Sequence, residues 1–329
     1  MRRTKSNSTA IGTANDPNEA EPHLYLPRFS HRLQLCAFIP AATSKIHIAE
    51  IFRKKEIYAF EQFVNASPVR QGLFLHCPQN AYPLLREFVD RRFNCKRRLD
   101  AMTADFLMAE KLFGTDILHQ MEDYRFHLVL AHLSDGISLW LNRNDNCVEE
   151  GAWSLSLRDE AGSRLYMATF AFVGTHLLTA SVQGPAGEEA KDTVRRITKQ
   201  LHGLRPQQLM VTALQYFAAA LKLDGAIGIA QKHQVKLRWK LKKRVKMNYD
   251  AFWQEYGASL ERDGYWHLPP TPARKDLADI ESKKRSMYRK RYQMLDEMVA
   301  EMTACFNKGQ DALQTASGQE AGPSNRPSN

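Results

Sequence analysis

Residues 282–292 read Ser-Lys-Lys-Arg-Ser-Met-Tyr-Arg-Lys-Arg-Tyr, six cations in eleven positions with two phenols among them. A guanidinium offers a planar fork of donors that matches phosphate or carboxylate, a lysine offers a point charge, and a tyrosine hydroxyl adds a further donor. On a helix Arg285, Arg289 and Tyr292 fall three to four residues apart and share a face. Lys283, Lys284, Tyr288 and Arg291 complete the run. Two readings stay open: a solvated helix face, or a face directed at an anion.

Three other places carry chemistry. His233, in Lys232-His233-Gln234, follows an apolar strand spanning 226–230, and residues just past such a strand often line a site in α/β proteins. It reads as a general base, a polar ligand contact or a hydrogen-bonded structural histidine. His202 and Arg205 stand in His-Gly-Leu-Arg-Pro, where Gly203 suits a helix stop and Pro206 a helix start. They either touch a ligand or tie the loop down. Gln183-Gly184-Pro185-Ala186-Gly187 joins a strand to a helix, and a helix start with free backbone N–H groups favours an anion. The pattern is loosely similar to the pyrophosphate cradle of GNAT-type acyltransferases, although Pro185 lacks one N–H. An ordinary β–α turn explains it too.

No P-loop, H-E-x-x-H, G-x-S-x-G or kinase signature is present. The five cysteines, Cys36, Cys77, Cys95, Cys147 and Cys305, are far apart and show no C-x-x-C spacing, so no metal site is expected. The residues therefore name no reaction. The charge says more. The chain carries a net +10, with 17 Lys or Arg against 7 Asp or Glu between residues 231 and 292 and 29 of each sign elsewhere. Such a block points to an anionic partner: nucleic acid, lipid head groups or phosphorylated ligands. No helix-turn-helix or RNA-binding signature supports nucleic acid.

The elements around these residues follow from periodicity. With 329 residues and 43% hydrophobic content the chain can build a sizeable core. The apolar run Leu35 to Ala42 is short and broken by Pro40, so no spanning helix or signal core is expected, and the protein reads as cytoplasmic. Residues 1–25 read as a disordered arm and 306–329 as a disordered tail, leaving one folded body over 26–305. A helical subregion spans 45–130, with Ile57, Phe60 and Val64 and then Leu84, Leu85 and Phe88 on helical spacing. An α/β subregion spans 131–305. There Ile137, Leu139 and Leu141, then Trp153, Leu155 and Leu157, alternate as strands. A hairpin over 165–182 turns at Gly174-Thr175. Helices follow over 188–201 and from Pro206. Residues 235–242 alternate Val, Leu, Trp and Leu with Lys and Arg, which predicts a strand with one cationic face. A last helix is predicted over 276–305. The fold class is α+β: a helical N-terminal half, then a central, mostly antiparallel sheet with packed helices, faintly GNAT-like in its C-terminal half.

In chain order, His-Gly-Leu-Arg-Pro at 202–206, Lys-His-Gln at 232–234, Tyr-Asp-Ala-Phe-Trp at 249–253, Asp-Gly-Tyr-Trp-His-Leu-Pro at 263–269 and the run at 282–292 resemble the bacterial VirK/YbjX family, a domain of unknown function. The resemblance covers roughly 45–298. The dense Lys/Arg segment after His233-Gln234 departs from the aromatic or Arg-rich segment usual there. The resemblance implies a bacterial accessory protein linked to virulence, display of surface proteins and resistance to antimicrobial peptides or bacteriocins. It maps the family's recurrent residues onto His202, Gly203, Arg205, Pro206, His233, Trp253, Lys283, Lys284, Arg285, Tyr288, Arg289, Arg291 and Tyr292. The expected partner is an anion, such as an inner-leaflet phospholipid or a phosphorylated metabolite, which would place the protein in the cytoplasm or peripherally at the inner membrane. No cofactor is expected, except acyl-CoA if the protein is an acyltransferase with Gln183, Gly184 and Gly187 as its phosphate loop.

Overall fold

The computed structural model describes residues 51–318 except 76, 124, 135 and 238–246. The N-terminal half is helical because its apolar residues repeat every three to four positions. Helices α1 (Lys54–Asn65) and α2 (Pro68–Leu75) bury Ile57, Phe60, Val64, Leu73 and Phe74. A 3-10 segment, Pro78–Leu84, follows. Helix α3 (Cys95–Phe113) starts where the Asn94 side chain accepts the Arg97 N–H at 2.9 Å, and ends at Gly114. Asn94→Ala should lower the unfolding free energy by about 1 kcal/mol in urea titration, the usual cost of a lost cap. Helix α4 (Thr115–Gln120) closes this half.

Eight strands form one sheet: β1 (Leu128–His132), β2 (Ser138–Arg143), β3 (Trp153–Arg158), β4 (Arg164–Val173), β5 (His176–Gln183), β6 (Gly225–Ile229), β7 (Ser259–Leu260) and β8 (Tyr265–His267). Their spatial order is β1-β2-β3-β4-β5-β6-β8-β7. All neighbours are antiparallel except β5 and β6. A parallel pair needs a long crossover, supplied by α5 (Ala190–Gln200) and α6 (Pro206–Ala220). Helix α7 (Tyr249–Glu255) and the long α8 (Ser282–Gly318) complete the fold.

Successive strand residues point to opposite faces, and the two faces differ. One carries Leu139, Leu141, Trp153, Leu155, Leu157, Phe170 and Phe172, all buried, and α3 and α6 pack against β4. Phe113 of α3 meets Trp153, Phe172, Phe217 and Phe306 there. Inside this aromatic layer sits the fully buried Asp105. Its Oδ1 accepts Trp153 Nε1 at 3.1 Å and the Phe172 N–H at 2.7 Å, and burial pushes its carboxyl up to about 8. The other face carries a polar set beside Trp140 and Met167. Asn142, Ser154, Ser156, Thr169 and Ser181 are buried and hydrogen-bond among themselves. Farther along, Gly228 of β6 lies flat under Trp253 of α7, where an added Cβ would stand 2.2 Å from Trp253 Cε2.

Edge strand β1 is covered by α8. Glu301 accepts the His132 N–H at 2.9 Å, and the Cys305 thiol lies 3.7 Å from the Val129 carbonyl.

Several expectations need correction. The stretch assigned to helices through 130 already contains the start of β1, a continuous apolar run without a two-residue period. Val235 to Leu237 form a turn instead of a strand. Gln234 Oε1 accepts the Lys236 N–H and the Gln234 carbonyl accepts the Leu237 N–H, so a local side chain outcompetes a ladder. Positions 238–246 of the proposed cationic strand lie outside the described residues, as do the arm at 1–25 and residues 319–329. The last helix begins at Ser282, not 276, because Asp276 and Glu281 belong to a proline-rich strap, and it continues past 305 to Gly318.

A candidate anion-binding cavity between α6, α8 and a strap

Between α8, α6 and the strap at 269–281 lies a cavity of about 300 Å³ lined by Leu204, Gln208, Thr212, Pro272, Arg274, Lys275, Tyr288, Arg291, Tyr292 and Leu295, with Ala273. Three of the expected residues, Tyr288, Arg291 and Tyr292, meet here. The strap is pinned from both sides. Tyr292 Oη accepts the Lys275 N–H and donates to the Lys275 carbonyl, both at 3.0 Å. Arg274 donates to Asp296 at 2.7 Å and to the Tyr216 hydroxyl at 3.0 Å, with its guanidinium 5.3 Å above the Tyr292 ring. Gln215 holds the Pro269 carbonyl at 2.7 Å. The Tyr288 hydroxyl and the Lys275 ammonium have no hydrogen-bond or ion-pair partner among the described residues.

Arg291 joins two of the sequence motifs. Its Nε and Nη2 donate to the His202 carbonyl at 3.2 and 3.0 Å, and its guanidinium stacks 4.2 Å from the Tyr288 ring centroid. Helix α5 ends in two left-handed residues, His202 (φ 51) and Gly203 (φ 75). A Cβ at Gly203 would lie 2.9 Å from Met287 Sδ and 3.0 Å from Arg291 Nη2. The backbone angle favours glycine here, and a methyl would also have to displace the ends of the Met287 and Arg291 side chains. It is the backbone carbonyl of His202 that ties the loop to α8.

The remaining expected residues scatter. Arg285 donates to the Ile280 and Ala278 carbonyls at 2.8 and 3.2 Å, bracing the strap against α8. Lys283 and Lys284 both pair with Glu281. Arg289 points to solvent. Arg205 reaches Glu255 at 3.9 Å. His233 lies near Arg92, and burial together with that guanidinium lowers its imidazole; its carbonyl accepts the Arg91 N–H at 3.0 Å. Beside it Arg92 grips the fully buried Asp90 at 2.6 Å, and Tyr265 donates to the same carboxylate at 2.8 Å. This knot holds Val89 at φ 47, a strained angle for a β-branched residue.

The β5–α5 loop is occupied from within. Gln183 Nε2 donates to Glu150 at 3.2 Å and its Oε1 accepts from Asn146 at 2.9 Å. Gly184 faces the Tyr166 ring, 2.6 Å from where a Cβ would stand. Past Gly187 come Glu188, Glu189 and Asp192, whose charges already answer the dipole of α5.

Two groupings were not legible in the sequence. Arg274 and Lys275 sit in an aperiodic strap, and their only signal was membership of the charge block. Glu150 is almost fully buried, accepting from Ser181 at 2.9 Å, Gln183 and Gln234 at 3.1 Å, with the Lys236 ammonium 3.8 Å away. Burial raises its carboxyl against the pull of Lys236, and burial with Glu150 pushes the nearby Cys147 thiol up to about 11. A protonated thiol is a poor nucleophile. Among the described residues no cluster suited to a metal ion occurs, and no helix is long and apolar enough to cross a membrane.

Over residues 41–304 the sequence matches a family described as "Protein of unknown function (DUF535)". An uncharacterized protein of Haemophilus influenzae is 36% identical over 250 residues, covering 76% of this chain and 85% of its own length. Membrane protein LapB of Mannheimia haemolytica is 34% identical over 222 residues, 67% of this chain and 90% of its own. Uncharacterized protein YbjX of Escherichia coli is 31% identical over 165 residues, 48% of this chain and 50% of its own. No solved structure matches. With the family match spanning the sheet, the strap and the motifs at 202–206 and 282–292, the chain belongs to the VirK/YbjX family, DUF535.

Proposed function

We propose that this chain is a bacterial accessory protein that holds a phosphate-bearing anion in the cavity between the strap, α6 and α8. The observation that carries this reading is the convergence of Arg274, Lys275 and Arg291 with the Tyr288 hydroxyl on one concavity. The resemblance to VirK/YbjX proteins supports a place in virulence, surface-protein display and resistance to antimicrobial peptides or bacteriocins. The name of the LapB relative, a membrane protein, supports a ligand at or near the inner leaflet, met from the cytoplasmic side. Lipid phosphate and free phosphorylated metabolite share the chemistry the cavity recognises.

Titration separates them. Inorganic phosphate and vesicles of phosphatidylglycerol or phosphatidylcholine are added in turn, at low and at physiological salt. Binding of phosphate or of the anionic vesicles alone, weakening with salt, is expected. Lys275→Ala removes an exposed cation with no partner among the described residues, so affinity should fall by about tenfold, on the scale of a solvent-screened charge contact, with the melting temperature unchanged. Arg291→Lys should lower both affinity and stability, since a lysine cannot reproduce the paired bonds to His202. Equal binding to both vesicle types, or no binding to any probe, ends the proposal.

One observation favours a second reading. The lone parallel pair β5–β6, with β8 between β6 and β7, suits an acyltransferase whose donor lies beyond the carboxyl ends of those strands. The carboxylates at the start of α5 oppose a pyrophosphate there, which ranks acyl-CoA second. A rise in melting temperature on adding acetyl-CoA would reverse that order.

A further inference from the structure

We infer that the ligand of this cavity is a phosphomonoester in its dianionic form. The inference rests on the anion-binding reading above and narrows it by charge. Arg274, Lys275 and Arg291 line the cavity, and no acidic residue does. Among the described residues one carboxylate reaches the set from outside, Asp296, which is bonded to Arg274. The cavity thus keeps two uncompensated positive charges.

Arg291 is half-buried while Arg274 and Lys275 are exposed at the rim, and charges gathered on one concavity favour a partner of complementary charge. A carboxylate or a phosphodiester brings a single negative charge and would leave one cation unanswered. A phosphomonoester brings nearly two at neutral pH, because its second ionisation lies near pH 6. A triphosphate would overshoot. Three donors line the cavity for the three terminal oxygens of such a group: the Arg291 nitrogen not bonded to His202, the Lys275 ammonium and the Tyr288 hydroxyl. Gln208 and Thr212, four residues apart on one face of α6 in its N-terminal half, add polar groups near the positive end of that helix. Leu204, Leu295 and Pro272 supply an apolar wall for the body that carries the phosphate. A volume of about 300 Å³ lies at the small end of ordinary ligand sites, too small for a diacyl lipid with its chains.

The test is calorimetric titration of the full chain with phenyl phosphate and with its methyl ester, a diester larger by one methyl and with one charge fewer. At pH 7.5 the monoester should bind at least about tenfold more tightly, the order expected for one extra charge contact in a partly screened site. Monoester affinity should fall between pH 7.5 and pH 5 as the second proton returns, while diester affinity stays level. The lining residues include no histidine, so the ligand supplies that pH dependence. In Lys275→Ala the preference for monoester over diester should shrink, with the melting temperature as the folding control. Equal affinity for the two esters, or a monoester affinity that ignores pH, overturns the inference and leaves the anion site standing. Binding of anionic vesicles without either soluble ester also overturns it, in favour of a headgroup. Failure of every anion, vesicles included, brings down the site itself.

Discussion

The unfolding free energy of this protein should fall by about 1.4 kcal/mol per pH unit between roughly pH 5 and pH 8, and Asp105→Asn should remove that component. Asp105 is fully buried, with both acceptor contacts on Oδ1 and none on Oδ2 among the described residues. Burial is the dominant cause of its raised carboxyl, now at about 8, and the two donors work against it. The sign follows directly. Between the ordinary carboxylate range and pH 8 the folded state keeps its proton and the unfolded state has lost it. The folded state therefore binds more protons, and stability declines as pH rises. The contribution is complete below the ordinary range and gone above pH 8. Asn keeps an acceptor for Trp153 and Phe172 but cannot ionise. Its amide nitrogen faces the space where Oδ2 had no donor, which adds a pH-independent cost. Urea titrations of both proteins from pH 5 to pH 8 test this. Glu150, also raised by burial, leaves some slope in the variant, so the measured quantity is the difference between the two profiles. Parallel profiles would mean that Asp105 ionises freely in the fold.

Gly228→Ala should destabilise by about 1–3 kcal/mol or more, as overpacking of a filled interior does. The new methyl would stand 2.2 Å from Trp253 Cε2, 2.5 Å from Cδ2 and 2.6 Å from Nε1, squarely on the indole face. The ring cannot slide away cheaply, because its N–H donates to the Ile229 carbonyl at 2.9 Å, next in chain to the glycine. Trp253→Leu alone should also cost several kcal/mol by opening a void. Together the two changes should cost less than their sum, since leucine vacates the space the methyl needs. Simple additivity in this four-protein cycle would show that α7 shifts as a body. The resemblance marked Trp253 without a role, and this contact gives it one: fastening α7 to the strand that ends near His233.

Much of the fold was legible because period speaks for burial. Leu139 and Leu141, Leu155 and Leu157 and the turn at Gly174 all fell on strands as expected. Helix α6 began at Pro206. What failed was fixed by contacts that periodicity does not register, some to residues distant in sequence and some local. β1 carries apolar residues at successive positions, and its edge is paired by α8 from the far end of the chain. Val235 and Leu237 alternate correctly for a strand, yet Gln234 and Glu150 bend the chain there. The site divides the same way. Spacing grouped Arg285, Arg289 and Tyr292 on one helical face, and of these only Tyr292 lines the cavity, joined by Tyr288 and Arg291 of the same run, whereas Arg274 and Lys275 take their place because Tyr292 and Asp296 hold an aperiodic strap. Arg285, within the same helical run, turned to carbonyls that no spacing could have announced.

The cover on β1 has a consequence for synthesis. The His132 N–H and the carboxylate that receives it are 169 residues apart, and the sheet's first strand is made long before its cap. At ~5–20 residues per second a ribosome needs on the order of ten to thirty seconds to bridge that gap. Throughout that interval the nascent chain carries an unpaired strand margin of the kind that seeds association between chains. The helix bearing the basic signature is therefore also the last safeguard to arrive, and a chain stalled just before Glu301 would already hold every residue that lines the cavity and still lack its seal.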